Sequence, residues 1–401
     1  MRQIAVLLIF TWAATGQTFE PKTRIEAIEA ERAVVAAHVQ PDTKDKAERV
    51  FDRIEDITDR IFGSTSGFRP VIGGLVTGSG FAAGVEYFRP DLANGNIVFR
   101  SSARGSFRLY ELIDAELAFP HLARDRMFAS FSTAYRNFPT LHYYGPGPRS
   151  SKNGRSNYRL EDATFDGRFG VRATRHLTLG GTAGFLKINI GPGTDERYAS
   201  TERLYSPAQA PGIDRQADFL RAGPFLQFDY RDFPGAPHKG GNYTVSYIHY
   251  DDRTLGAHSH RKLSAEAQQY IPFFNQKRTI ALRAKTELSY RNTNQVIPFY
   301  LQPVLGGSDD LRGFRPFRFY DNNLLVTNLE YRWEVNTGLD MAVFGDAGKV
   351  FHRHAQLNFA DMETSAGIGL RFKSRRSVFM RWDVGFSREG FQLWIKFNSA
   401  I

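Results

Sequence analysis

The residues of this 401-residue chain that could do chemistry are mainly arginines and carboxylates, and the densest group of them lies between Val304 and Tyr320. There Asp309 and Asp310 precede Leu311, Arg312, Gly313 and Phe314, and Arg315, Phe317, Arg318, Phe319 and Tyr320 follow. The aromatic and arginine residues after Gly313 argue against disorder, so the segment reads as a folded loop with a function. Asp309-Asp310 suits loop polarity or an internal ion pair better than an acid-base dyad. His352 and His354 would put two imidazoles on one side of an extended segment, a spacing metals can use, but no third ligand is evident and no metal is assigned. Arg312 taken alone could equally be a solvated loop arginine. With no cysteine there is no disulfide or thiolate chemistry, and neither a nucleophile-elbow serine nor a Walker-type glycine loop is present. The expectation is a protein without enzymatic activity, catalytic residues or cofactor.

The elements that must position this loop follow from periodicity. Residues 1–16 have a basic start, a short apolar core and small residues at the end, which predicts a secretory signal; the apolar run is shorter than the roughly 20 residues of a spanning helix. Residues 17–64 predict a periplasmic helical extension and linker. Thr23 to Glu26 has capping-box spacing, Pro41 ends a first helix, and Val50, Ile54, Ile57 and Ile61 share one face of a second. That face could pack on the first helix, lie at the mouth of a barrel or enter its lumen. No later stretch is apolar and long enough to span as a helix, so a membrane location requires a closed barrel.

From Phe68 the period becomes two. Leu325, Thr327, Leu329, Tyr331 and Trp333 alternate with Val326, Asn328, Glu330, Arg332 and Glu334, and residues 279–290, 378–387 and 391–398 divide the same way. An apolar outer face with an ionisable inner one fits a transmembrane barrel with a wet interior. We place about sixteen strands, an even number as bacterial barrels have, near residues 68–77, 80–90, 95–104, 106–119, 126–138, 157–173, 176–190, 217–231, 240–251, 259–272, 278–291, 324–335, 340–351, 364–373, 377–387 and 391–398. The short connections then fall on one side and the long ones, 139–156, 191–216, 292–323 and 352–363, on the other, as periplasmic turns and external loops should. Tyr87, Phe88, Phe119, Tyr135, Phe138, Tyr230, Phe351 and Phe372 are candidates for interfacial girdles. The net charge of +10 suits a solvated basic surface or attraction to anionic lipid phosphates, whereas export and the lack of a recognisable motif argue against nucleic acid. The predicted fold class is all-β: an antiparallel transmembrane β-barrel, residues 65–401, with a short N-terminal helical extension.

Leu311-Arg312-Gly313-Phe314 resembles the Val-Arg-Gly-Phe/Tyr motif in the sixth extracellular loop of the Omp85 superfamily, the outer-membrane assembly and translocation barrels also called bacterial surface antigen (D15) proteins. The motif lies between the eleventh and twelfth predicted strands, where that family carries it. Phe344-Gly-Asp346-Ala-Gly348 and Leu329-Glu330-Tyr331 are similar to the family's motif strands, and residues 383–391 to its closing hairpin. The resemblance implies that the loop folds into the lumen with Arg312 pairing with Asp346 and Glu330, and strand parity agrees in placing Glu330 on the polar face. A guanidinium suits such a role because its fixed fork can serve two carboxylates. The family's usual members carry periplasmic POTRA domains before the barrel; the about 48 residues between the predicted signal and the barrel are too few for one such module at ordinary domain sizes. The resemblance further implies insertion or translocation of polypeptides in the outer membrane, through a seam between first and last strands that Pro70, Gly73 and Gly74 would weaken. The expected partners are outer-membrane lipids, lipopolysaccharide and an unfolded client polypeptide. The alternative is a passive pore or transporter for small solutes or lipids, gated by the loop. Oligomeric state stays open.

Overall fold

A computed structural model describes residues 66–274, 277–373 and 377–397. The expected signal peptide and helical extension, residues 1–64, lie outside them. Alternation of small, β-branched and aromatic residues with polar ones produces strands throughout. In chain order these are β1 (Gly67–Gly73), β2 (Ala82–Leu92), β3 (Ile97–Ser106), β4 (Glu111–Leu122), β5 (Met127–Tyr143), β6 (Ser156–Arg172), β7 (Leu177–Pro192), β8 (Phe219–Asp229), β9 (Gly240–Asp252), β10 (His260–Phe273) and β11 (Arg278–Arg291). Two short strands, β12 (Val304–Leu305) and β13 (Phe319–Tyr320), pair with each other inside the long loop. The wall resumes with β14 (Asn323–Asn336), β15 (Leu339–Phe351), β16 (Glu363–Lys373), β17 (Val378–Ser387) and β18 (Gly390–Phe397).

The wall is one 16-stranded sheet in which each strand pairs antiparallel with the next, β11 passing directly to β14. All sixteen strands are those the periodicity predicts, with shifted ends. β1 stops at Gly73 rather than residue 77, and residues 74–81 form a turn in which the Ser79 hydroxyl accepts hydrogen bonds from the Leu75 and Val76 amides. β4 begins at Glu111 rather than residue 106, because Leu109 takes φ 61° and the Ser106 hydroxyl accepts from the amides of Arg108 and Tyr110. Both are hydroxyl-stabilised turns that hydrophobic periodicity does not register.

Register fixes which side chains face out. Leu329, Val343 and Ile368 stand 51%, 42% and 59% exposed on the outer face, whereas Glu330 and Asp346 between them are 3% exposed. A single apolar face spread over the whole outer wall suits lipid and would be a liability in water. The inner face differs from the expected wet lumen at β14–β17: there Glu330, Asp346, Arg371, Arg381 and Asp383 are buried beneath the long loop. Two of the expected girdle aromatics are buried, Phe138 at 5% and Phe351 at 2% exposure: Phe138 faces inward, and Phe351 packs beside Lys349, whose Nζ donates to Asn358 and the Ala360 carbonyl of the β15–β16 connection. Phe138 joins an aromatic cluster with Tyr143, Tyr158, Phe219, Phe299 and Tyr320 beneath the long connections.

The sheet's two edges, β1 and β18, share no hydrogen-bonded ladder among the described residues. They approach at one point, where a Cβ placed on Gly73 would lie 3.8 Å from that of Phe397, whose ring is 5.7 Å from Phe81.

Leu329 tests which face meets lipid. Leu329→Arg should destabilise the barrel by about 2–4 kcal/mol if it lies near the bilayer midplane, measured by denaturant unfolding in liposomes; a change below about 0.5 kcal/mol would place that face away from lipid.

Candidate functional site: the Arg312 loop and its carboxylates

The connection from β11 to β14 folds inward, and a few short-range features shape it. Gly306 and Gly307 adopt φ of 112° and 109°, which turn the chain out of β12, and Phe317 at φ 57° turns it back into β13. Between these turns Leu311 and Phe314 are fully buried against Leu305, Phe319, Leu324, Val326 and Val350, and the Phe314 amide donates to the Leu311 carbonyl at 3.1 Å. This turn, held by an apolar cluster, aims the Arg312 side chain at the wall.

Arg312 is 4% exposed. Its Nε and Nη2 donate to the two oxygens of Asp346 at 3.0 and 2.7 Å, and Nη1 donates to Glu330 Oε2 at 2.6 Å. The Arg312 amide donates to Asp346 Oδ2 at 3.1 Å, so side chain and backbone grip the same carboxylate. Phe344, on the Asp346 strand, lies under the guanidinium with its ring centre 3.4 Å from Cζ, adding a cation–π contact. Gly313 is needed for proximity, since a Cβ there would come 2.6 Å from the Phe386 carbonyl and 2.7 Å from Ser365 Cβ. Gly348 acts similarly: a Cβ would lie 3.0 Å from Leu305 and 3.1 Å from the Leu325 carbonyl, pushing β12 off the wall.

The structure thus places together all eight residues singled out from the sequence: Leu311, Arg312, Gly313, Phe314, Glu330, Phe344, Asp346 and Gly348. It also adds residues that were not singled out. Glu330 is shared by three arginines: besides Arg312, Arg332 Nε reaches Oε1 at 2.7 Å and Arg371 Nη2 reaches Oε2 at 2.7 Å. Arg371 Nη1 continues to Asp383 at 2.6 Å, and Arg381 closes on the same carboxylate at 2.9 Å. Asn328 and Ser365 donate to Asp346 at 2.8 and 3.2 Å. Strand parity signals that Arg332, Arg381 and Asp383 face inward, but partner choice depends on register between strands, which one sequence does not carry.

The loop also reaches the sheet edges. The Trp394 indole on β18 donates to the Arg312 carbonyl at 2.7 Å, Lys396 pairs with Asp309, and Thr77 beside β1 shares a 3.2 Å hydrogen bond with Ser308. Arg318, 1% exposed, ties Glu389 in the β17–β18 turn at 2.9 Å to the Ser150 carbonyl at 2.7 Å. His352 and His354 lie outside this network, and no group of three or more metal-ligating residues occurs among the described residues. Asp346 and Glu330 are each held by a guanidinium fork, from Arg312 and Arg371, and Asp383 lies in ion-pair contact with Arg371 and Arg381. The arrangement fixes a conformation and leaves none of the three free as an acid or base.

Removing one member of a buried pair leaves its partner's charge uncompensated, at a cost of about 3–5 kcal/mol. Arg312→Ala and Glu330→Gln should therefore raise the loop's sensitivity to limited proteolysis. Arg312→Lys should not restore protection, because a point charge cannot span both carboxylates. Asp346→Asn should do less harm than Glu330→Gln, since Asn328 and Ser365 remain at its site whereas three guanidiniums lose their common partner. Wild-type cleavage patterns in all four variants would refute the locking role.

The Omp85 superfamily domain model matches residues 99–386. Among solved structures the fold is similar to BamA from Haemophilus ducreyi lacking POTRA domains 1-3, with a TM-score of 0.61 and 14% identity over 83% of this chain and 70% of that one. It is also similar to CdiB from Escherichia coli, with a TM-score of 0.57 and 12% identity over 82% of this chain and 61% of that one. At these identities the likeness is one of fold, and the chain spans less than two thirds of the CdiB chain. No curated protein matches in sequence.

Proposed function

The chain belongs to the Omp85 superfamily, and from that premise we propose that it resides in the bacterial outer membrane and assists insertion or translocation of polypeptides there, without enzymatic chemistry. The observation that carries this reading is that β1 and β18 share no hydrogen-bonded ladder among the described residues, in a wall whose other neighbouring strands all pair. Unpaired strand edges present rows of amide and carbonyl groups that template pairing with another chain. An incoming unfolded client with alternating residues can add to such an edge without disturbing the rest of the sheet. The inward loop would hold β18 from the lumen side through Trp394 and Lys396 while leaving its backbone edge without a ladder among the described residues.

The pore reading is less well supported. Leu305, Leu311, Phe314 and Phe319 are fully buried between the loop and the wall, and Tyr320 bonds through its hydroxyl to the His142 carbonyl at 2.8 Å, so the loop reaches from β14–β17 to β5. A loop so anchored leaves little open lumen on its path.

The 3.8 Å Cβ separation at Gly73 and Phe397 matches that of a disulfide, and the chain has no native cysteine to compete. The Gly73→Cys/Phe397→Cys variant, oxidised in proteoliposomes, should insert a urea-unfolded small barrel severalfold more slowly than its reduced form. Equal rates would exclude opening at this seam. In planar bilayers the wild type should conduct little, with conductance rising in Arg312→Ala; large, solute-selective conductance in the wild type with no client insertion would favour the pore.

A further inference from the structure

The His352-Arg353-His354 segment, unused by the loop site, lines a pocket of about 420 Å³ at the long-loop end of β10 and β11. Three arginines converge on it from different elements: Arg261 from β10, Arg291 from the end of β11, and Arg353 from the β15–β16 connection. All three are exposed, and none lies within ion-pair distance of a carboxylate among the described residues. This sets them apart from the arginines beneath the long loop, Arg312, Arg332, Arg371 and Arg381, each of which is matched by an acid. The carboxylate touching a lining residue is Asp321, 3.3 Å from His352 Nδ1; burial pushes its carboxyl above its ordinary value. His354 is held in place, its Nε2 3.1 Å from the Ser289 carbonyl and its ring 4.5 Å from that of Tyr290.

We propose that this pocket binds a phosphate group of an outer-leaflet lipid. Three guanidiniums offer planar forks to a tetrahedral oxyanion. A carboxylate, with two oxygens, would leave part of this donor set unused. The lipid source follows from register. Arg261 pairs with Tyr290 on the outer face, and one step along that face Leu263 pairs with Leu288. The Arg261 side of the pocket thus borders the surface that carries the apolar band, where a headgroup can reach the arginines while its acyl chains stay on the wall. This source rests on the outer-membrane placement proposed above and is independent of client insertion.

Native mass spectrometry of the folded protein, released from micelles containing equal amounts of dioleoylphosphatidic acid and dioleoylphosphatidylcholine, tests the site. The wild type should retain the phosphatidic acid at least about tenfold over phosphatidylcholine, as two charge-assisted contacts would give. Arg291→Ala/Arg353→Ala should lose that preference while keeping heat-modifiable gel mobility. Because Arg291 ends a strand, the exposed single variant Arg353→Ala is measured alongside and should show a partial loss. Equal preference in wild type and variants would overturn the site. Binding of inorganic phosphate by wild type and not by the variants, with no preference between lipids, would overturn the lipid source. Client insertion is assayed in the same preparations: its absence alongside intact lipid preference would refute the insertion reading and leave this site standing.

Discussion

Burying a carboxylate as completely as Glu330, at 3% exposure, costs several kcal/mol unless cations and donors replace the lost water. Here Arg312, Arg332 and Arg371 all do so, from the loop, from the same strand and from β16. Much of the interior follows from that requirement. Arg371 needs a second acid, which brings Asp383 and with it Arg381; Arg312 needs a second acid, which is Asp346. The loop's course, the glycine at 313 and the buried aromatic at 344 are the steric conditions for placing one guanidinium between two strands. Apolar replacement of a buried ion cluster often preserves stability, but a hydrophobic loop has many equivalent packings, whereas forked ion pairs admit few.

The wall was legible because a barrel strand leaves a periodic trace: one face must be apolar for lipid and the other is free to be polar, so all sixteen strands can be read from alternation. Strand ends at Gly73 and Glu111 were missed because they are set by serine hydroxyl turns, which leave no hydrophobic mark. The loop's central residues were legible through family motif, with parity in agreement. The remainder of the network was not, for a physical reason: Arg371 meeting Glu330 is separated by 41 residues and depends on two inter-strand registers at once. Nor does alternation report whether an inward residue meets water or a folded loop, which is why the interior at β14–β17 is drier than expected.

Two populations of arginine divide along the barrel axis. Those under the loop are buried and matched by acids, so their role ends within the molecule. Those at the rim of β10 and β11 are exposed and unmatched, so they account for part of the chain's excess positive charge where an outside anion can meet it. Net charge alone could not have distinguished these cases.

The Trp394 hydrogen bond to the Arg312 carbonyl carries a consequence for the order of assembly. Its two partners are 82 residues apart, and the indole belongs to the last strand of the wall. The Glu330 and Asp346 contacts can form once β14 and β15 have paired, but this one, like the Lys396 contact with Asp309, must wait for the carboxy-terminal hairpin. Contacts of such long sequence separation close late because the loop-closure entropy must first be met. The final strand therefore acts as a kinetic checkpoint: the loop reaches its full set of contacts only when the whole chain has entered the wall, so a truncated or stalled barrel would carry a loosened loop.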